Sequence, residues 1–150
     1  MKYILAAVIF ISIPAFAFET DQTVNTRFGT VQLIDNKDGT NIDIKLNGKN
    51  ISSVEANTFN GINEEPFNLG EKDVFAISTN AGGGCGAYYF LTVENKSNAT
   101  LSPSFSSCGE IFFKKSGNSI ITKSMDSRGK NRKTIKYSNG TVTENGKVLK

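Results

Sequence analysis

Apolar and polar residues alternate along this chain in short runs. In residues 41–46, Ile42, Ile44 and Leu46 alternate with Asn41, Asp43 and Lys45, the pattern of a half-buried strand. Residues 30–34 form a similar run before the turn at Asp38-Gly39. Asn47-Gly48 tolerates positive φ at both positions, so it predicts a tight hairpin with 49–54 as the return strand. Residues 55–72 lose periodicity, with Phe59, Pro66 and Phe67 among polar residues, and predict a long loop holding one helical turn. A strand resumes at 73–79, with Phe75 and Ile77 facing one way. In 88–94 both sides are largely apolar: Tyr89, Leu91 and Val93 on one, Tyr88, Phe90 and Thr92 on the other. Such a strand belongs in the middle of a sheet covered on both faces.

The polar turn 95–98 leads to a return strand over 99–106, with Leu101, Pro103 and Phe105 expected on one face. Pro103 cannot donate to a ladder, so this strand is expected at an edge or interrupted. Residues 111–115 and 119–124 flank Gly117-Asn118, 132–138 and 141–144 flank Asn139-Gly140, and Asn145-Gly146 turns into 147–150. No segment repeats apolar residues at the three- and four-residue spacing of a helix. The expected fold is all-β, an antiparallel meander of about ten short strands closed as a barrel or packed as a sandwich.

The N-terminus breaks this pattern. Met1-Lys2 is basic, residues 4–13 are apolar apart from one serine, and Ala15-Phe16-Ala17 is a small-x-small site. Residues 1–17 therefore read as a cleaved secretory signal peptide, too short to span a bilayer comfortably. The remaining residues, 18–150, are expected to form one all-β domain, with 18–25 polar and frayed. Export to the periplasm or beyond agrees with two cysteines. Cys85 and Cys108 bracket the hairpin around 88–106, and a structural disulfide is expected. There is no Cys-x-x-Cys to favour redox chemistry, and with no histidine the pair cannot form a zinc site alone.

Charge divides the chain. Residues 18–110 hold six basic and twelve acidic side chains, a balance of −6, whereas 111–150 hold ten basic and two acidic, a balance of +8. Lys123, Arg128, Lys130, Arg132 and Lys133 bracket one turn and are the candidate partner-binding residues. The competing reading makes these cations solvent-side positions alternating with Ile120, Thr122, Ile135 and Tyr137. Stacking on nucleic acid is not expected, because the basic strands offer few exposed aromatics.

Zero histidines remove the usual general base and any Ser-His-Asp constellation. Ser127-x-x-Lys130 sits in a charged turn rather than at the start of a buried helix, so it reads as chance. Glu64, Glu65, Glu71 and Asp73 are the one carboxylate cluster, able to hydrolyse a glycoside only if two converge in a cleft; solvated loop acids are the plainer reading. No catalytic residue, metal ligand or cofactor is assigned.

Cys85-Gly-Ala-Tyr88-Tyr89, Pro103-Ser-Phe105-Ser-Ser-Cys108 and the closing Asn145-Gly146-Lys147 resemble motifs of small exported bacterial all-β proteins of unknown function. The resemblance covers 85–150 and implies a periplasmic setting without implying catalytic residues. The expected function is non-enzymatic binding of a protein partner in the cell envelope, such as inhibition of, or immunity to, an envelope enzyme. The alternatives are a hydrolase using Glu64 or Glu65 with Asp73, and an assembly subunit pairing through its Lys-rich C-terminal strand edge.

Overall fold

The computed structural model describes residues 22–36, 40–56, 58–80, 84–129 and 132–150. The expected signal peptide, Asp38-Gly39, Gly82-Gly83 and Lys130 lie outside these residues. Among the described residues there are fifteen strands and no helix, arranged as three antiparallel sheets that do not close into a barrel.

Each sheet is one contiguous stretch of sequence. The first contains β1 (Gln22–Thr26), β2 (Gly29–Asp35), β3 (Asn41–Leu46) and β4 (Lys49–Glu55), paired in that order. The second holds β5 (Thr58–Ile62), β6 (Phe67–Leu69), β7 (Lys72–Asn80), β8 (Gly86–Asn95), β9 (Asn98–Leu101) and β10 (Phe105–Ser107). There β7 and β8 are central; β5 and β6 share one flank, β9 and β10 the other. The third holds β11 (Lys114–Ser116), β12 (Ser119–Ser124), β13 (Lys133–Ser138), β14 (Thr141–Glu144) and β15 (Lys147–Val148) as consecutive hairpins.

The second sheet is the middle layer because β7 and β8 are apolar on both faces. Phe75, Ile77, Leu91 and Val93 pack against Val31, Leu33, Ile42, Ile44 and Leu46 of the first sheet. Val74, Ala76, Phe90 and Phe105 pack against Ile120, Ile135, Tyr137 and Val142 of the third. Full burial of a side chain such as Phe75 or Phe90 stabilises by roughly 1.5–3 kcal/mol. The Asn-Gly turns have the left-handed backbone they require, with φ of 51° and 79° at Asn47-Gly48 and 50° and 80° at Asn139-Gly140.

Four local expectations are corrected. Residues 22–26 form a strand rather than a frayed end: Val24 is buried, and the Gln22 side chain accepts a hydrogen bond from the Ile62 N–H at 3.1 Å. The stretch 55–72 carries β5 and β6 instead of a loop with a helical turn. Its periodicity is hidden by a register shift between Phe59 and Gly61 and by Asn63, whose side chain accepts the Ala76 N–H at 2.6 Å in place of a backbone carbonyl. Leu101 and Phe105 lie on opposite faces. Leu101 pairs with Leu91 but Phe105 with Tyr88, so the chain gains one residue across Pro103, as at a bulge. There the Ser102 hydroxyl accepts the Phe90 N–H at 2.9 Å and donates to the Pro103 carbonyl at 2.8 Å. Finally, the strand expected over 111–115 is displaced to Lys114–Ser116.

Candidate partner-binding groove

Cys85 and Cys108 are joined, tying the start of β8 to the residue after β10. The disulfide points to an oxidising, non-cytoplasmic compartment. Past it the chain crosses from the middle sheet to the third. The Cys108 N–H donates to the Met125 carbonyl at 3.0 Å, and the Met125 N–H donates to the buried Ser107 hydroxyl at 3.1 Å. Gly109 allows this close approach, since a Cβ there would lie 2.7 Å from the Met125 sulfur.

The crossing segment alternates its side chains. Ile111 and Phe113 turn inward. The Phe113 ring meets those of Phe67, Tyr88 and Phe90 edge-on, with centroids 6.4, 6.2 and 5.7 Å away. With Phe113 anchored inward, Phe112 points outward, 72% exposed, and its carbonyl accepts the Thr122 hydroxyl at 2.7 Å. Glu110, Phe112, Lys114, Ile121, Lys123, Met125 and Arg132 line a groove of about 520 Å³ on the outer face of the third sheet. Ile121 pairs with Lys114 on one side and Lys136 on the other.

Of the expected binding residues, the structure brings Lys123 and Arg132 together in this groove. Arg128 is exposed in the β12–β13 loop, where the Asp126 carboxylate accepts its N–H at 3.0 Å. Lys133 shares the side of β13 that carries Ile135 and Tyr137, and pairs with Glu144 at 2.7 Å. It therefore does not join Lys123. Among the described residues no carboxylate pairs with Lys114, Lys123, Arg132 or Lys136. Sequence reasoning missed Phe112 and Ile121. Ile121 carried a signal, since it lies two residues before Lys123 on the solvent side of an alternating run, whereas Phe112 sits in the unbroken apolar run Ile111-Phe112-Phe113.

The carboxylate cluster is dispersed. Glu64, Glu65 and Glu71 are exposed in turns, consistent with solvated acids. Asp73, by contrast, is fully buried on β7, where it accepts the Arg27 backbone N–H at 2.7 Å and the Arg27 Nε–H at 2.6 Å. It belongs to a pin between the first two sheets, so the reading of Asp73 as a loop acid is overturned. At the seam between the second and third sheets, Lys72 pairs with Glu94 at 2.5 Å, and Thr92 shares a hydrogen bond with the Tyr137 hydroxyl. The Glu94 carboxylate raises the Lys72 pKa above its ordinary value by accepting its hydrogen bond, with desolvation opposing and the remaining charges adding.

Among the described residues no group of three His, Cys, Asp or Glu side chains could hold a metal ion, and no helix is long and apolar enough to cross a membrane. Fold and groove together describe a three-layer, disulfide-stapled β-protein with a basic, aromatic-walled surface site. No known protein family, curated protein or solved structure matches the chain.

Proposed function

We propose that this chain is an exported, non-enzymatic binding protein whose groove on the third sheet receives a negatively charged protein partner in the cell envelope. One observation carries the reading: Phe112 is 72% exposed and lines the groove with Lys114, Lys123 and Arg132. An exposed aromatic beside cations is the composition of a binding anchor, aromatic residues and arginine being enriched at such sites. The N-terminal signal pattern and the disulfide support a periplasmic setting. Blocking an envelope enzyme, as an inhibitor or immunity protein does, fits a rigid scaffold that presents one groove. The alternative of a hydrolase built on Glu64 or Glu65 with Asp73 has less support, because Asp73 is consumed by Arg27. Pairing through the C-terminal edge also has less support, because β15 is two residues long.

The test is retention of envelope proteins by immobilised mature protein, compared with the variant carrying Phe112→Ser and Lys123→Glu. Periplasmic protein should begin at Phe18 by intact mass. A partner retained by the wild type, lost by the variant and released by salt is expected, because exposed charges are screened within about 8 Å at physiological ionic strength. Equal retention by both proteins would refute the reading.

A further inference from the structure

The layout of the groove narrows its occupant, on the premise that the groove binds a protein at all. Ile121 forms an apolar floor with Lys114 and Lys136 facing it from the neighbouring strands. Lys123 lies two residues further along β12 on the same face, about 7 Å away from strand geometry, and adjacent strands lie about 4.8 Å apart. Phe112 and Met125 complete the apolar part, and Arg132 adds a cation. Lysine-bearing positions thus stand about 5 Å to either side of Ile121 across the strands and about 7 Å from it along β12. An extended peptide lying across the strands presents same-side residues about 7 Å apart, so carboxylates on either side of an apolar residue at Ile121 fall within reach of the long Lys114 and Lys136 side chains.

We infer that the groove takes an extended acidic peptide segment of the partner, in which one bulky apolar side chain sits between carboxylates two positions away on either side. The apolar side chain rests on Ile121 against Phe112. The carboxylates meet Lys114 on one side and Lys136 on the other, the two lysines that flank Ile121 across the sheet, and Lys123 adds a cation along β12.

Two features favour a peptide over an anionic membrane. Among the described residues only Phe112 and Val148 are exposed large hydrophobics, and they lie near opposite edges of the third sheet, beside β11 and on β15. They therefore do not form one insertion surface. Phe112 also walls a groove whose volume, about 520 Å³, suits one bulky side chain with its flanking backbone.

The experiment titrates isotope-labelled mature protein, followed by amide NMR, with a short synthetic peptide holding leucine between aspartates at the second position on each side. Control peptides replace the leucine by serine or the aspartates by lysine, and vesicles of anionic phospholipid form a further arm. Saturable shifts at Phe112, Ile121 and Lys123 are expected, with affinity falling at least about tenfold for either control peptide and for the Phe112→Ser variant. Because Phe112 is exposed, that variant should keep the melting temperature of the wild type, which verifies its fold. Equal binding of the serine control would overturn the apolar anchor, and saturable binding of vesicles through the same residues would overturn the peptide assignment. No binding of the leucine peptide, while an envelope protein is still retained through Phe112, would overturn this inference and leave the proposed function standing.

Discussion

Replacing Asp73 by asparagine tests the physical account of how the first two sheets are held together. Asp73 is fully buried, and its two oxygens accept separate bonds from Arg27, one from the backbone and one from the guanidinium. Asparagine preserves the shape but converts one acceptor into a donor, so one Arg27 N–H would face another N–H. A hydrogen bond to a charged group contributes about 1.5–3 kcal/mol, and removing one partner of a buried ion pair costs about 3–5 kcal/mol. The Arg27 side chain is 44% exposed, so water compensates part of its loss and the lower figure applies. A destabilisation of about 3 kcal/mol is expected. With a urea slope of about 2 kcal/mol/M, the unfolding midpoint should fall by about 1.5 M with an unchanged slope. Arg27→Ala should cost at least as much, since it leaves the fully buried carboxylate with one backbone N–H and no counter-charge. The double variant should then show non-additivity of at least about 0.5 kcal/mol. A shift below about 0.3 M for Asp73→Asn would refute the pin as a stabilising contact.

Two further outcomes follow from features already described. Replacing both Cys85 and Cys108 by serine removes a closure across a separation of 23 residues and should cost about 3 kcal/mol on the chain-entropy relation, measured by urea unfolding with and without reductant; no loss would mean that β8 and β10 are held without the staple. Because the Lys72 pKa is raised in the folded state, its stabilising contribution is whole below the ordinary lysine value of 10.5 and is lost as pH rises through the raised value. Lys72→Met should therefore flatten the alkaline fall in melting temperature, and an unchanged alkaline limb would contradict the Lys72–Glu94 pairing.

Strand content was legible because period-two alternation and Asn-Gly turns are local signals, and Ile42, Ile44 and Leu46 face the core as their spacing requires. The two-faced character of 88–94 also reached beyond local structure, since it placed that strand in a covered middle layer. What escaped reading depends on side chains replacing backbone partners. Asn63 and Ser102 each satisfy a ladder N–H, breaking the alternation that would have exposed β5–β6 and the face change at Pro103. Burial of Asp73 was invisible because its partner, Arg27, lies 46 residues away. The basic region was legible as a charge imbalance, but the division of Lys123 from Lys133 is a matter of strand parity. Phe112 could not be assigned outward until Phe113 was anchored inward.

The contiguity of the three sheets bears on the order in which the protein is made. If the chain is exported N-terminus first, as proposed, residues 22–55 and 58–107 reach the oxidising compartment before any strand of the third sheet, so the first two sheets can assemble in that order. Cys108 emerges while only the first two sheets exist, and the crosslink can form ahead of the last five strands. Until those strands arrive, Val74, Ala76, Phe90 and Phe105 are a bare apolar surface at the growing end of the chain. A chain that ends soon after Cys108 is therefore a natural client for a chaperone, and the basic hairpins of the third sheet are the lid that ends that dependence.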